Sequence, residues 1–164
     1  MGSHGRSDVS GTPHGEATET VIATTTAIPI DALGAVRAAA ARRKTLLGYE
    51  KDEFPVVLAR HGRALEVFEP PGTVLAAVIA RLAEKGLDLS HSRHDDVAAA
   101  ISRARGSPFL ILAEEHLPVA GKLTDSVLSA EDLPAAGEIL EGVRFLRRAL
   151  EAVAPGTVVL VAIL

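Results

Sequence analysis

TVVLVAIL, residues 157–164, carries no charged side chain over eight positions. It also lacks the apolar–polar alternation that marks a strand with one wet face. A run of this kind suits a strand covered on both faces. Left open at an edge, it would invite pairing with another chain. Residues 157–164 are therefore expected inside a sheet or in a subunit interface, and the remaining chain must supply cover for both of their faces.

Moving back from Pro155-Gly156, the spacing of Ile139, Val143, Leu146 and Leu150 predicts a long helix from near Pro134 to Val153. Residues 114–133 show little pattern and read as a long loop, with one short extended piece around 119–123. Phe109 to Ala113 is a second continuous apolar run, expected to be a buried strand. Asp95 to about Arg105 reads as a helix stopped by Gly106 and Pro108, with Asp95 and Asp96 in the first turn where the dipole favours acids. Thr73 to Lys85 holds the cleanest helical stripe, Leu75, Val78, Ile79 and Leu82, and Gly86 ends it.

Two apolar runs, Phe54 to Arg60 and Ala64 to Phe68, flank His61-Gly62-Arg63 and read as a hairpin with a three-residue turn. Thr20 to Ile28 is rich in β-branched residues and is expected to be the first strand, bounded by Pro29. Asp31 then caps a helix reaching Leu47, with Arg42, Arg43 and Lys44 near its C-terminal end and Gly48 closing it. Residues 1–19 lack periodicity and read as a disordered polar tail before a single α+β domain at 20–164. The order βαββααβ–αβ resembles a ferredoxin-like βαββαβ sheet with an added helix and a C-terminal helix–strand extension. This is a resemblance of topology alone, without a shared motif, and it implies nothing about activity.

Composition narrows the chemistry. The chain has 164 residues, 48% of them apolar but only 3% aromatic, so the core must rest on Leu, Val, Ile and Ala. Such a core gains less per residue than an aromatic one, and association into a homo-oligomer would bury more surface. Cysteine is absent, which excludes disulfides, thiolate nucleophiles and Cys-ligated metals. Asn and Gln are absent as well, and Arg outnumbers Lys, as in a GC-rich coding genome of bacterial type. A net charge of −4 with mixed signs argues against a broad nucleic-acid footprint. No apolar run approaches the ~20 residues of a membrane helix, and the first residues lack a signal-peptide pattern, so the expected compartment is the cytoplasm.

Three clusters could carry chemistry. His91, His94 and Asp95 sit at a helix start; two His three apart, joined by His116, could bind a divalent metal. The plainer reading is helix capping from Ser92 onward. Glu114 and His116 follow the buried strand, where a Glu–His pair could act as general acid and base, with Lys122 nearby in sequence. Their plainer reading is a solvated strand exit. Arg60, His61 and Arg63 form a basic group that could touch a phosphate or an acidic partner, or simply be a charged loop tip. No phosphate-loop, HExxH, GxSxG or EF-hand pattern occurs. No particular cofactor is implied.

Three functions fit: a self-associating domain that binds a protein or small ligand, a small His/carboxylate enzyme using His91, His94, Asp95, Glu114 and His116, or a structural assembly subunit.

Overall fold

The chain's path is β1 (Ala23–Pro29), α1 (Leu33–Ala41), β2 (Arg43–Leu46), β3 (Tyr49–Asp52), α2 (Phe54–His61) and β4 (Arg63–Phe68). It continues through α3 (Gly72–Glu84), α4 (Asp95–Arg105), β5 (Phe109–Leu112), α5 (Leu117–Ala120), α6 (Ala136–Glu151) and β6 (Thr157–Ile163). Short 3-10 turns occupy Ile30–Ala32 and Glu114–His116. The structure, a computed structural model, describes residues 22–46, 49–129 and 136–164; the expected polar tail at 1–19, the expected cap Gly48 and the expected helix start near Pro134 lie outside them.

β6 lies inside the sheet, as its lack of alternation requires. The strand order is β4-β1-β6-β5 and every neighbouring pair is antiparallel. Val159 stands between Ala27 of β1 and Leu112 of β5. Successive side chains of a strand point to opposite faces, and here both faces are dry. Val159, Val161 and Ile163 join a core with Leu75, Val78 and Leu82 of α3 and Val143, Leu146 and Leu150 of α6. Val158, Leu160 and Ala162 join a second core with α1, Phe54 of α2, and Ala98 and Ile101 of α4. Helices therefore cover both sides of one antiparallel sheet, an α+β arrangement in three layers.

The ferredoxin-like order does not match this sheet. That plait sets two strands parallel at its centre, whereas β1 and β6 run antiparallel here. The expected hairpin at 54–68 is also replaced. Residues 54–61 form α2, and only Arg63–Phe68 is a strand, paired with β1. Pro55 opens the helix where a missing N–H costs nothing, and Phe54, Val57 and Leu58 fall on its packed side.

α1 is shorter than expected. The backbone turns extended at Arg42, and β2 with β3 forms a separate two-stranded hairpin over residues read as the end of a helix. The expected loop at 114–133 begins instead with a 3-10 turn and the short α5.

Gly62 explains how α2 can run straight into β4. A Cβ there would stand 2.6 Å from Thr26 Cγ2 and 2.8 Å from the Leu58 carbonyl oxygen, closer than real contacts allow. Ion pairs tie the layers at the rim. Arg148 of α6 meets Glu66 of β4 at 2.8 Å and Glu141 at 3.0 Å. Arg105 of α4 forks onto Asp52, with its guanidinium 4.7 Å from the Phe54 ring centre.

Candidate functional site

The candidates near the exit of β5 come together in space, but their hydrogen bonds are structural. Asp95 accepts the Ser92 N–H at 2.7 Å, and Ser92 Oγ accepts the His94 N–H at 3.0 Å. These two bonds close a local turn at 92–95 that leads into α4, whose own N-cap, His94, makes no side-chain capping bond.

His116 is buried, with 3% of its surface exposed. Its Nδ1 accepts the Ala113 N–H at 3.0 Å, and its Nε2 faces the His91 carbonyl oxygen at 2.6 Å. A carbonyl only accepts, so the ring proton sits on Nε2 and both nitrogens are engaged. His116 fastens the 88–95 segment to the end of β5. His91 turns its ring outward onto Asp88, with Nδ1 at 2.6 Å. The Asp88 hydrogen bond, and then its charge, hold His91 above the ordinary His range. Hydrogen bonds from Ser90, ahead of those from His91, hold Asp88 below the ordinary carboxylate range. Glu115 receives the Arg93 N–H at 2.9 Å and Nε at 2.8 Å, and these bonds keep its carboxyl low.

His94 differs from its neighbours. Its Nε2 is buried without a hydrogen-bond partner. The ring borders a cleft of about 40 Å³ shared with Arg93, Glu114 and Thr157. That volume holds a few waters at ~10–15 Å³ each, whereas organic ligands need several hundred. The proposed acid–base set is thus reduced to His94 and Glu114 around a water-sized space. Among the described residues, no three His, Asp or Glu side chains are placed to hold a metal ion.

The remaining candidates separate. Lys122 is exposed in the turn after α5. His61 ends α2 and Arg63 begins β4, so neither sits on a hairpin tip. Arg60 borders a larger cleft of about 260 Å³ between α2 and the neighbouring hairpin, lined also by Arg42, Lys51, Glu53, Val56 and Val57. Arg42 approaches Glu53 at 3.8 Å. Lys51 and Arg60 make no ion pair among the described residues.

Sequence reading missed Arg42 and Lys51 as partners of Arg60, because it placed Arg42 inside a longer helix and Arg60 on a strand, and gave Lys51 no element. A signal existed. Residues 37–63 hold seven Lys or Arg against three Asp or Glu, in a chain whose net charge is −4.

Neither family models, nor curated proteins, nor solved structures match this chain.

Proposed function

We propose that this chain is a binding domain for a small anionic ligand, held in the cleft between α2 and the β2–β3 hairpin. The observation that carries the reading is the convergence of Arg42, Lys51 and Arg60 around about 260 Å³ of space, with Glu53 the one carboxylate in the lining among the described residues. That volume lies just under the ~300 Å³ at which small-molecule sites begin.

Cations gathered at one concave surface raise the local concentration of anions. Arg presents a planar fork to carboxylate or phosphate oxygens, while Lys supplies a mobile point charge. Val56, 55% exposed, and the half-buried Val57 give the same cleft an apolar wall. A ligand with a charged head and a short carbon body fits this division. By contrast, Asp95, His91 and His116 near β5 are held in local turn and clasping bonds, and His94 and Glu114 border a cleft of only about 40 Å³, which favours binding at the larger cleft over catalysis there.

Titration calorimetry with inorganic pyrophosphate and citrate tests the reading. Binding should weaken as salt rises, and Arg60→Glu should weaken it at least tenfold while leaving the fold intact. Absence of binding to either anion at millimolar concentration, or binding indifferent to Arg60→Glu and Lys51→Glu, would reject it.

A further inference from the structure

The cleft proposed as an anion site lies between two walls, α2 and the β2–β3 hairpin, and neither belongs to the four-stranded sheet. Among the described residues β2 and β3 pair only with each other. A lone two-stranded hairpin is marginally stable in water, so its place beside α2 depends on what holds its root.

Arg105 of α4 holds that root. Its Nη1 donates to Asp52 Oδ1 at 2.8 Å, and its Nη2 donates to Oδ2. The Phe54 N–H donates to the same Oδ1 at 3.1 Å. The guanidinium also lies over the Phe54 ring, and that ring is buried, edge-on to Phe109 of β5 at 5.9 Å. One planar cation thus grips the last residue of β3 and the first of α2. A fork onto a carboxylate fixes direction as well as distance.

Asp52 stands where it controls the cations. Its sequence neighbours Lys51 and Glu53 both line the cleft, whereas Asp52 and Arg105 are not among the described lining residues. Successive side chains of a strand point to opposite faces, so turning Asp52 toward Arg105 turns Lys51 toward the cleft. Across the hairpin Asp52 pairs with Arg43, whose neighbour Arg42 is also in the lining. On the other wall Arg60, Val56 and Val57 ride on α2, the helix that Phe54 begins.

We infer that Arg105 is the positioning residue of this cleft: through Asp52 and Phe54 it sets Arg42 and Lys51 against Arg60 before any ligand arrives. The inference rests on the anion reading above. A site whose charges are set in advance loses less freedom on binding. Loss of the fork therefore weakens a ligand that Arg105 never touches.

Titration calorimetry with inorganic pyrophosphate tests this, on chains shown folded by circular dichroism. Arg105→Met and Lys51→Ala should each weaken binding about tenfold, and the double variant R105M/K51A should fall well short of the product, because coupled residues do not add. Arg105→Lys keeps the charge and loses the fork, so it should bind as weakly as R105M. A general loss of stability would lower Tm and leave the affinity of the folded chain unchanged. In a second arm without ligand, hydrogen exchange of the amides at 43–46 and 49–52 should quicken in R105M while that of β6 stays as it was. Affinity unmoved by R105M, losses that multiply in full, or binding restored by Lys overturns the inference and leaves the cleft an anion site. Hairpin exchange unchanged in R105M overturns it whatever the ligand. A wild type that binds no pyrophosphate or citrate rejects the anion reading itself, and the positioning role with it.

Discussion

The two edges of the sheet are finished in different ways. At β5 the chain closes its own edge. Ser102 Oγ accepts the Phe109 N–H at 2.9 Å and lies 3.3 Å from the Phe109 carbonyl oxygen, while His116 Nδ1 takes the Ala113 N–H at 3.0 Å just past the other end. At β4 the side-chain bond to the strand's backbone among the described residues comes from the neighbouring strand, Thr25 Oγ1 donating to the Glu66 carbonyl at 3.4 Å, and Val67 stands exposed. A buried backbone group without a partner costs about as much as a lost hydrogen bond. β5 is a four-residue edge strand with Phe109, Ile111 and Leu112 buried, and side chains meet its outward backbone at its two ends, Phe109 and Ala113. β4 faces solvent, where water or another strand can serve. The first edge is committed to the monomer and the second stays available.

The difference can be broken most severely at His116. His116→Leu leaves the Ala113 N–H and the His91 carbonyl without their partner, and unfolding in urea should show a loss of about 3 kcal/mol, from ~1–3 for each orphaned group. The next largest effect lies at the entry to β4. Gly62→Ala forces a Cβ against Thr26 and the Leu58 carbonyl, and should cost about 2 kcal/mol, in the range of an overpacked site. Ser102→Ala removes the clasp on Phe109 and should cost about 1 kcal/mol; a change as small as that of an exposed β4 substitution would erase the contrast between the edges.

The smallest effect is a pH dependence at His91. Its pKa is raised above 6.5 and that of Asp88 is lowered below 3.8. A raised His stabilises the fold fully below its unfolded value and loses that contribution as pH climbs through the folded one. A lowered Asp contributes above its unfolded value and loses this as pH falls. Both contributions are complete between about 4 and 6.5. His91→Ala should therefore lower Tm more at pH 5.5 than at pH 8, and nuclear magnetic resonance should place His91 half-protonation above the ordinary value.

The interior of the fold was legible in the sequence, and its margins were not. β6 was readable because eight uncharged residues cannot face water along a strand, α3 and α6 because their apolar spacing matches a helix that packs on one side, and α4 from its acidic first turn and the Gly106 and Pro108 stop. α2 was hidden. Val56 and Val57 favour a strand by their branching, yet Phe54, Val57 and Leu58 also have helical spacing, and tertiary packing chose the helix. The start of β2 was equally masked, since Arg43 and Lys44 read as the cationic end of a helix.

At the candidate site the residue types were visible and their roles were not. Glu114-Glu115-His116 looks like a polar exit, and nothing in the spacing tells that His116 turns inward to clasp two backbone groups. The convergence of Arg42, Lys51 and Arg60 depends on a hairpin folding back toward α2, a long-range fact outside the reach of local pattern.

Residue-resolved amide hydrogen exchange at two protein concentrations tests the contrast between the edges most directly. The Phe109 and Ala113 amides, held by Ser102 and His116, should be protected at both, whereas outward amides of β4 should exchange quickly at both. Strong protection of the outward β4 amides, or exchange at Phe109 and Ala113 as fast as in β4, would contradict a sheet clasped on one side and open on the other.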